Sequence, residues 1–394
     1  MFAVLSPARK ALSRLMVLFS LVWLAACQPA SLSGPAGGGA SVGSTKPVPV
    51  ALLVPHGAAS PQEQQLARDL EAAARLAAAD LQGVQIDLRV YGTAGSPAQA
   101  RTAALNAVSD GARIILGPLH AESANAAAVA VASQGVNVLA FSNNATISGG
   151  NLFILGQTFN TTANRLARFA ARQGKKRILA VYSDNLAGQL GRDAIEQGVN
   201  ASGAQFAGSV GYEFSQQGVA SAVPRIRAKA AQSNADAIFM TSNTAGALPL
   251  FSQMLPEAGL SPANTQYIGL ARWDVPAQTT ALPGVQGGWF AIPDPQRSAA
   301  YKSRFQAANG NAPHVISGLA YDGIAAIGAL AKSGGRDALS RTRLTQSAGF
   351  QGVSGVFRFR PDGTNERGLA VATIRDQKVV VIDPAPQGFG GTGF

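Results

Sequence analysis

The chain has 394 residues, 47% hydrophobic and 13% charged, with a single Cys and a formal net charge of +11. The apolar content excludes an intrinsically disordered chain, and one cysteine excludes both an internal disulfide framework and a Cys-built zinc site. The excess of positive charge points toward anionic partners, and the length accommodates about two domains with extras. At the N-terminus, Arg9, Lys10 and Arg14 precede an apolar run from Met16 to Ala26 that only Ser20 interrupts. At ~1.5 Å per residue the run spans roughly 16 Å, against about 30 Å of bilayer hydrocarbon, so it is a secretory h-region and too short for a transmembrane helix.

The run ends in Leu24-Ala25-Ala26-Cys27, which resembles a bacterial lipobox. The resemblance implies a signal peptide over 1–26, with Cys27 acylated and first in the mature chain. Several acyl chains, each buried methylene adding ~0.8 kcal/mol, hold such a protein on a membrane almost irreversibly. Gln28 follows where an Asp would mark inner-membrane retention in proteobacterial lipoproteins. The likeness therefore implies the periplasmic face of the outer membrane. Residues 27–46, rich in Gly, Ser, Ala and Pro, are expected to form a flexible tether with a reach of roughly 25 Å.

From Val48 onward, short apolar strands alternate with amphipathic helices. Strands are expected at Val48–Val54, Ile86–Val90, Ile114–Leu116, Asn137–Ala140, Ile178–Tyr182, Ala237–Thr241 and Gln266–Gly269. Helices are expected at 61–81, 97–109, 122–133, 161–173, 187–201, 219–231 and 245–258. Such alternation predicts an α/β fold with parallel sheets covered by helices. In the first helix Ser60 is the N-cap, Pro61 occupies N1 and Glu63 completes a capping box, with Leu66, Leu70, Ala73, Ala77 and Leu81 along one face. One sheet would hold too many strands, so two smaller ones are expected. Beyond Trp289 the pattern predicts helices at about 297–309, 316–332 and 337–347, a strand and turn over 357–364, and a hairpin about Asp376-Gln377. Residues 385–394 are expected to be a disordered tail.

Ile114-Ile115-Leu116-Gly117-Pro118, the stretch from Gly135 to Asn143, Gly174 to Asn185, Gly318 to Asp322 and Phe357 to Gly363 together resemble type I periplasmic binding proteins of the Leu/Ile/Val-binding kind. The likeness covers about 48–384. It implies two doubly wound parallel-sheet lobes joined by three crossovers, with lobe one over 48–155 and 293–365 and lobe two over 156–292 and 366–384. In such sheets ligands sit beyond the C-terminal strand ends, at helix N-termini. That rule selects Ser60, His120, Ser142, Asn143, Asn144, Asp184, Asn243 and Trp273 as cleft candidates.

Three positions depart from the amino-acid binders of the family. Ala121 stands at the place of their carboxylate-holding Ser, Ser142-Asn143-Asn144 replaces their Ala-x-Thr, and Ala187 replaces an aromatic residue before Gly188. Penicillin-binding protein activators, outer-membrane lipoproteins carrying the same domain, are more similar at Gly117-Pro118-Leu119, Asn137 to Ala140 and Asn143-Asn144. That resemblance implies a non-enzymatic lipoprotein that supports peptidoglycan synthesis by contact with a bifunctional penicillin-binding protein. The alternative is the substrate-binding component of an ABC importer, with a small-molecule ligand in the cleft.

No catalytic residue, cofactor or metal site is expected. His56, His120 and His314 are far apart and in no metal-ligand spacing. The Gly-rich stretch from Gly388 to Gly393 has no following helix to cradle a pyrophosphate. Arg165, Arg168 and Arg172 on one helical face, running into Lys175-Lys176-Arg177, and Arg225, Arg227 and Lys229 on another helix suit solvated faces or an anionic contact. Nucleic acid is excluded as a partner by the expected compartment and the lack of interleaved aromatic residues.

Overall fold

The structure, a computed structural model, describes residues 46–335 and 337–390. The expected signal peptide, Cys27 and the tether before Lys46 lie outside the described residues.

The first sheet comprises β1 (Val48–Val54), β2 (Ile86–Gly92), β3 (Ile114–Leu116), β4 (Asn137–Ala140) and β5 (Leu152–Ile154). All five are parallel, in the order β2-β1-β3-β4-β5. Helices α1 (Pro61–Asp80), α2 (Pro97–Ser109) and α3 (Ala121–Val131) connect them. In α1 the apolar stripe works as its spacing dictates. Leu66, Leu70, Ala73 and Ala77 are buried, and each leucine stabilises the lobe by about 1.5–3 kcal/mol through lost water contact.

The second sheet repeats the winding. Strands β6 (Arg177–Ser183), β7 (Gln205–Tyr212), β8 (Ala237–Met240), β9 (Gln266–Gly269) and β10 (Trp289–Ile292) lie parallel in the order β7-β6-β8-β9-β10. Helices α4 (Phe159–Arg172), α5 (Leu186–Ala201), α6 (Gln216–Ser233) and α7 (Leu248–Glu257) cover its two faces. At its edge β14 (Ala370–Arg375) and β15 (Lys378–Asp383) add an antiparallel hairpin. Asp376 and Gln377 both hold positive φ, 50° and 60°, as a two-residue turn matched to strand twist requires.

Between β10 and β14 the chain returns to the first sheet. It forms α8 (Pro295–Asn309), α9 (Gly318–Lys332), α10 (Arg341–Leu344) and a small antiparallel sheet of β11 (Phe350–Gly352), β12 (Gly355–Phe359) and β13 (Asn365–Arg367). Ile324, Ile327, Phe357 and Phe359 share one core with Leu52, Leu116 and Phe153. Three passages therefore run between the lobes: after β5, after β10 and after β13.

Polar side chains stitch these passages together. Asn365 donates to the carbonyls of Ile154 at 2.8 Å and Gly156 at 2.7 Å. Arg367 donates through Nε to the Leu155 carbonyl at 3.1 Å and pairs with Asp322 at 2.9 Å. Asp322 also accepts the Val353 N–H at 2.7 Å. Burial pushes the Asp322 carboxyl up from its ordinary range, and Arg367 and the Val353 N–H pull it back.

Strands β5, β11 and β13 add to the sequence pattern, and three further differences have a local cause. The helix expected over 337–347 shrinks to α10, because the chain before it forms a turn (Ser340 N–H to Asp337 carbonyl) and the Asn137 amide takes the Leu339 carbonyl at 2.8 Å. Strand β7 was hidden by its small residues, among them Gly208 at φ 95°. The tail expected to be disordered from 385 makes contacts as far as Phe389, and residues 391–394 lie outside the described residues. Ala385 is buried, Gln387 donates to Asp294 at 3.1 Å, and Arg358 lies 4.4 Å above the Phe389 ring.

Removing the Asp322 carboxylate leaves a buried guanidinium uncompensated. Asp322→Ala is expected to cost about 3–5 kcal/mol in urea unfolding, and a loss under about 1 kcal/mol would show that the pair does not hold the passages.

Candidate functional site

In lobe one, the chain after each strand turns sharply to enter the next helix. Gly117, after β3, sits at φ 90°, and a Cβ there would lie 2.1 Å from the Leu53 carbonyl, so only glycine lets this loop close on β1. Ser60 caps α1, its Oγ accepting the Glu63 N–H at 3.4 Å and donating to Gln62 at 2.9 Å. The Glu63 carboxylate, expected to complete the capping box, lies instead 3.1 Å from His120 Nε2 at the start of α3. Ser60 and His120 are thus tied into one contact between two loops of the same lobe.

After β4, Ser142 is buried and its Oγ accepts the Asn144 N–H at 3.1 Å. Asn144 accepts from Thr146 N–H at 2.9 Å and Thr146 Oγ1 at 2.8 Å. Asn143 is exposed, and its side chain has no hydrogen-bond partner among the described residues.

In lobe two, Asp184 is exposed and accepts from Gln189 at 3.3 Å. Asn185 caps α5 by accepting the Gly188 N–H at 2.8 Å. A Cβ on Gly188 would fall 1.9 Å from the Ser183 carbonyl, which explains a glycine in the first turn. Asn243, after β8, is exposed, and among the described residues its side chain makes no hydrogen bond. Leu186 is 72% exposed and Phe214 62% exposed, both just beyond strand ends. Sequence reasoning passed over these two; the available signal was a large apolar residue inside an otherwise polar loop.

Trp273 is a correction. It was expected in the cleft, yet it is 0% exposed and packs in the core of lobe two beside Phe290, with ring centroids 6.2 Å apart. The reason is local. A Cβ on Gly269 would lie 2.4 Å from the indole, and one on Gly288 2.2 Å, so this glycine pair opens the slot that the ring fills.

A cavity of about 390 Å³ joins the two lobes. The loop Asn143, Asn144 and Ala145 forms one wall, and Leu186, Ala187 and Leu190 on α5 form the other. Asn143 and Asn144 are thereby brought to the second lobe. Ser60, His120, Asp184 and Asn243 do not line this cavity, and Phe214 borders a separate hollow with Ala245, Gly246 and Ala247. The chemistry on offer is amide donors and acceptors, one carboxylate, Asp193, and the large apolar side chains of Phe159, Leu186 and Leu190, which suits holding a ligand rather than transforming one. His56 pairs with Glu71 at 2.9 Å and His120 with Glu63, and among the described residues no hydroxyl or thiol is hydrogen-bonded to either imidazole. No group of three His, Cys, Asp or Glu among the described residues is placed to hold a metal ion.

In both lobes the strand order reverses beside the first strand, between β1 and β3 and between β6 and β8, which is where doubly wound sheets take ligands. Similar structures share this architecture. A protein of Rhodospirillum rubrum described as a candidate branched-chain amino acid ABC transporter is 18% identical, with 86% of this chain and 100% of that chain covered and a TM-score of 0.73. An ABC transporter substrate-binding protein of Desulfitobacterium hafniense, solved with Leu, is 18% identical, covering 86% and 100%, at 0.62. A solute-binding protein of R. palustris, solved with benzoate, is 17% identical, covering 88% and 98%, at 0.57. No curated protein matches the sequence. A family model described as periplasmic binding protein matches residues 47–378. With that match over most of its length, and a fold of two lobes wound alike, the chain belongs to the periplasmic binding protein family.

Proposed function

We propose that the chain captures a small molecule between its lobes as the binding component of an ABC importer. The observation that carries this reading is the unspent amide of Asn143 on one wall of the cavity between the lobes, with exposed Leu186 on the other. An amide with apolar neighbours suits a ligand with an apolar body and a hydrogen-bonding head. Two structures similar to this chain were solved with Leu and with benzoate, molecules of that general build. Ala121 and Ala187 offer no side-chain hydrogen bond, so a non-amino-acid carboxylate or amide fits better than an α-amino acid. Family membership implies the periplasm as the compartment. Hinge closure of the lobes would then bury the ligand.

A thermal-shift and calorimetric screen of amino acids, aromatic carboxylates, sugars and short peptides tests the reading. A true ligand at a hundredfold excess over its Kd stabilises the protein by about 2.7 kcal/mol. Asn143→Ala is expected to weaken binding about tenfold while leaving the ligand-free melting temperature unchanged, whereas Asn243→Ala, outside the cavity, should change binding less than about twofold. Silence across the panel would count against capture.

A second reading is favoured by a different observation. Ser142 and Asn144 spend their hydrogen bonds inside their own loop, and His120 is engaged by Glu63, so much of the predicted cleft is already satisfied. Exposed Leu186 and Phe214 would then serve protein contact. On this reading the chain is an outer-membrane lipoprotein, acylated at Cys27, that activates a bifunctional penicillin-binding protein. Purified protein should then bind such a transpeptidase and raise its cross-linking rate, and Cys27→Ser should release the chain from membranes. An unchanged rate across the cell's own transpeptidases excludes this reading.

A further inference from the structure

The cationic residues that the cleft does not use gather on one side of lobe two. Arg168 and Arg172 in the last turns of α4, and Lys175, Lys176 and Arg177 leading into β6, line an open depression of about 830 Å³ with no carboxylate on its walls. The acids nearby are already engaged. Asp383 pairs with Arg165 at 2.9 Å and Arg172 at 2.6 Å. Asp236 accepts the N–H groups of Lys176 at 2.9 Å and Arg177 at 3.1 Å. Among the described residues, the side chains of Arg168, Lys175 and Lys176 have no acidic partner. Arg168 is half-buried, so water screens its charge less than it would a fully exposed one.

The depression continues past Arg168. Arg168 and Ala201 also border a hollow of about 460 Å³ between α4, α5 and the turn from β12 to β13. Its walls carry Asn160, Asn164, Gln197, Arg360 and Thr364. Asn160 donates to Gln197 Oε1 at 2.9 Å, which leaves Asn160 Oδ1 and Gln197 Nε2 open among the described residues. Asn164 is likewise unengaged there. The two carboxylates of this hollow are held from lobe one: Glu366 by Arg358 at 2.5 Å and Arg360 at 2.6 Å, and Asp362 by Thr364 N–H at 2.9 Å.

We propose that this continuous trough binds an extended acidic segment of a partner protein. Guanidinium and ammonium groups pair with its carboxylates, and the open amides of Asn160, Asn164 and Gln197 pair with its main-chain N–H and C=O groups. The concave shape decides the class of partner. A peptide enters a trough between two helices and a turn, whereas a plane of lipid headgroups meets only its rim. The 14 residues of α4 run about 20 Å, the length of roughly six extended residues. The segment would touch lobe one through Arg360 and Thr364 and lobe two through α4 and α5, and the trough meets the ligand cleft at Asn160 and Gln197, which line both.

The test uses the soluble chain and a fluorescent oligo-glutamate peptide, read by anisotropy at about 50 and about 150 mM salt. Binding is expected, weaker at the higher salt. Joint Arg168→Glu and Lys176→Glu should raise Kd at least about tenfold, whereas joint Arg227→Glu and Lys229→Glu on α6 should change it less than about twofold. Asn164→Ala should weaken binding with its salt dependence kept. If the double reversal fails to fold, Arg168→Gln with Lys176→Gln carries the same comparison, with circular dichroism as the check. Equal loss in both clusters would mean diffuse charge attraction and overturn the site. So would full displacement by millimolar inorganic phosphate, or binding to phosphatidylglycerol vesicles without binding to the peptide.

Discussion

Asp322 and Arg367 meet at 2.9 Å with almost no access to water, at the point where the chain passes between lobes. Burying two charges costs more than their attraction returns unless every remaining donor and acceptor is used. Here each guanidinium nitrogen and each carboxylate oxygen has a partner. Arg367 places Nε and one terminal nitrogen on the Leu155 carbonyl, and Asp322 its second oxygen on the Val353 N–H. A Cβ on Gly352 would lie 2.5 Å from that carboxylate, so the neighbouring strand must carry a glycine to let it in. From the other side Arg165 of α4 donates to the Leu369 carbonyl at 2.6 Å. The passages are therefore anchored from both lobes, and each sheet's loops are positioned from these anchors outward.

The shared winding of the sheets has a chemical consequence. Strand ends that meet at a reversal leave room for helix N-termini and short polar loops, and both lobes place them there. What these loops do with their polar groups differs. Ser60, His120, Ser142 and Asn144 are committed to caps and contacts within lobe one. Asn143 and Asn243 are not. A region of strand ends is thus reduced to a few side chains with capacity left for a partner, and those side chains define what the cleft can recognise.

Charge is partitioned as well. The cleft candidates hold a single carboxylate, Asp184, whereas the depression below α4 collects five cationic side chains. The formal charge of +11 is therefore not spread evenly, and part of it gathers where no carboxylate lines the wall.

The sequence by itself determined the alternation of strands and helices, because apolar runs such as Val48–Val54, Ile114–Leu116, Asn137–Ala140 and Gln266–Gly269 stand between turn-forming residues and coincide with the strands observed. It made the doubly wound lobes legible only through the resemblance of stretches such as Ile114 to Pro118 and Gly174 to Asn185 to type I periplasmic binding proteins. It could not separate β7 from a loop, since Gly208 and its small neighbours carry no alternation. Nor could it say which polar residues are free. Glu63 turned from its own cap to His120, and Trp273 turned inward over Gly269 and Gly288, because both depend on partners 57 and 15 residues away at most that only packing brings near. Tertiary structure alone decided these outcomes: a side chain's capacity to bind a partner is what remains after its neighbours in space have taken their share.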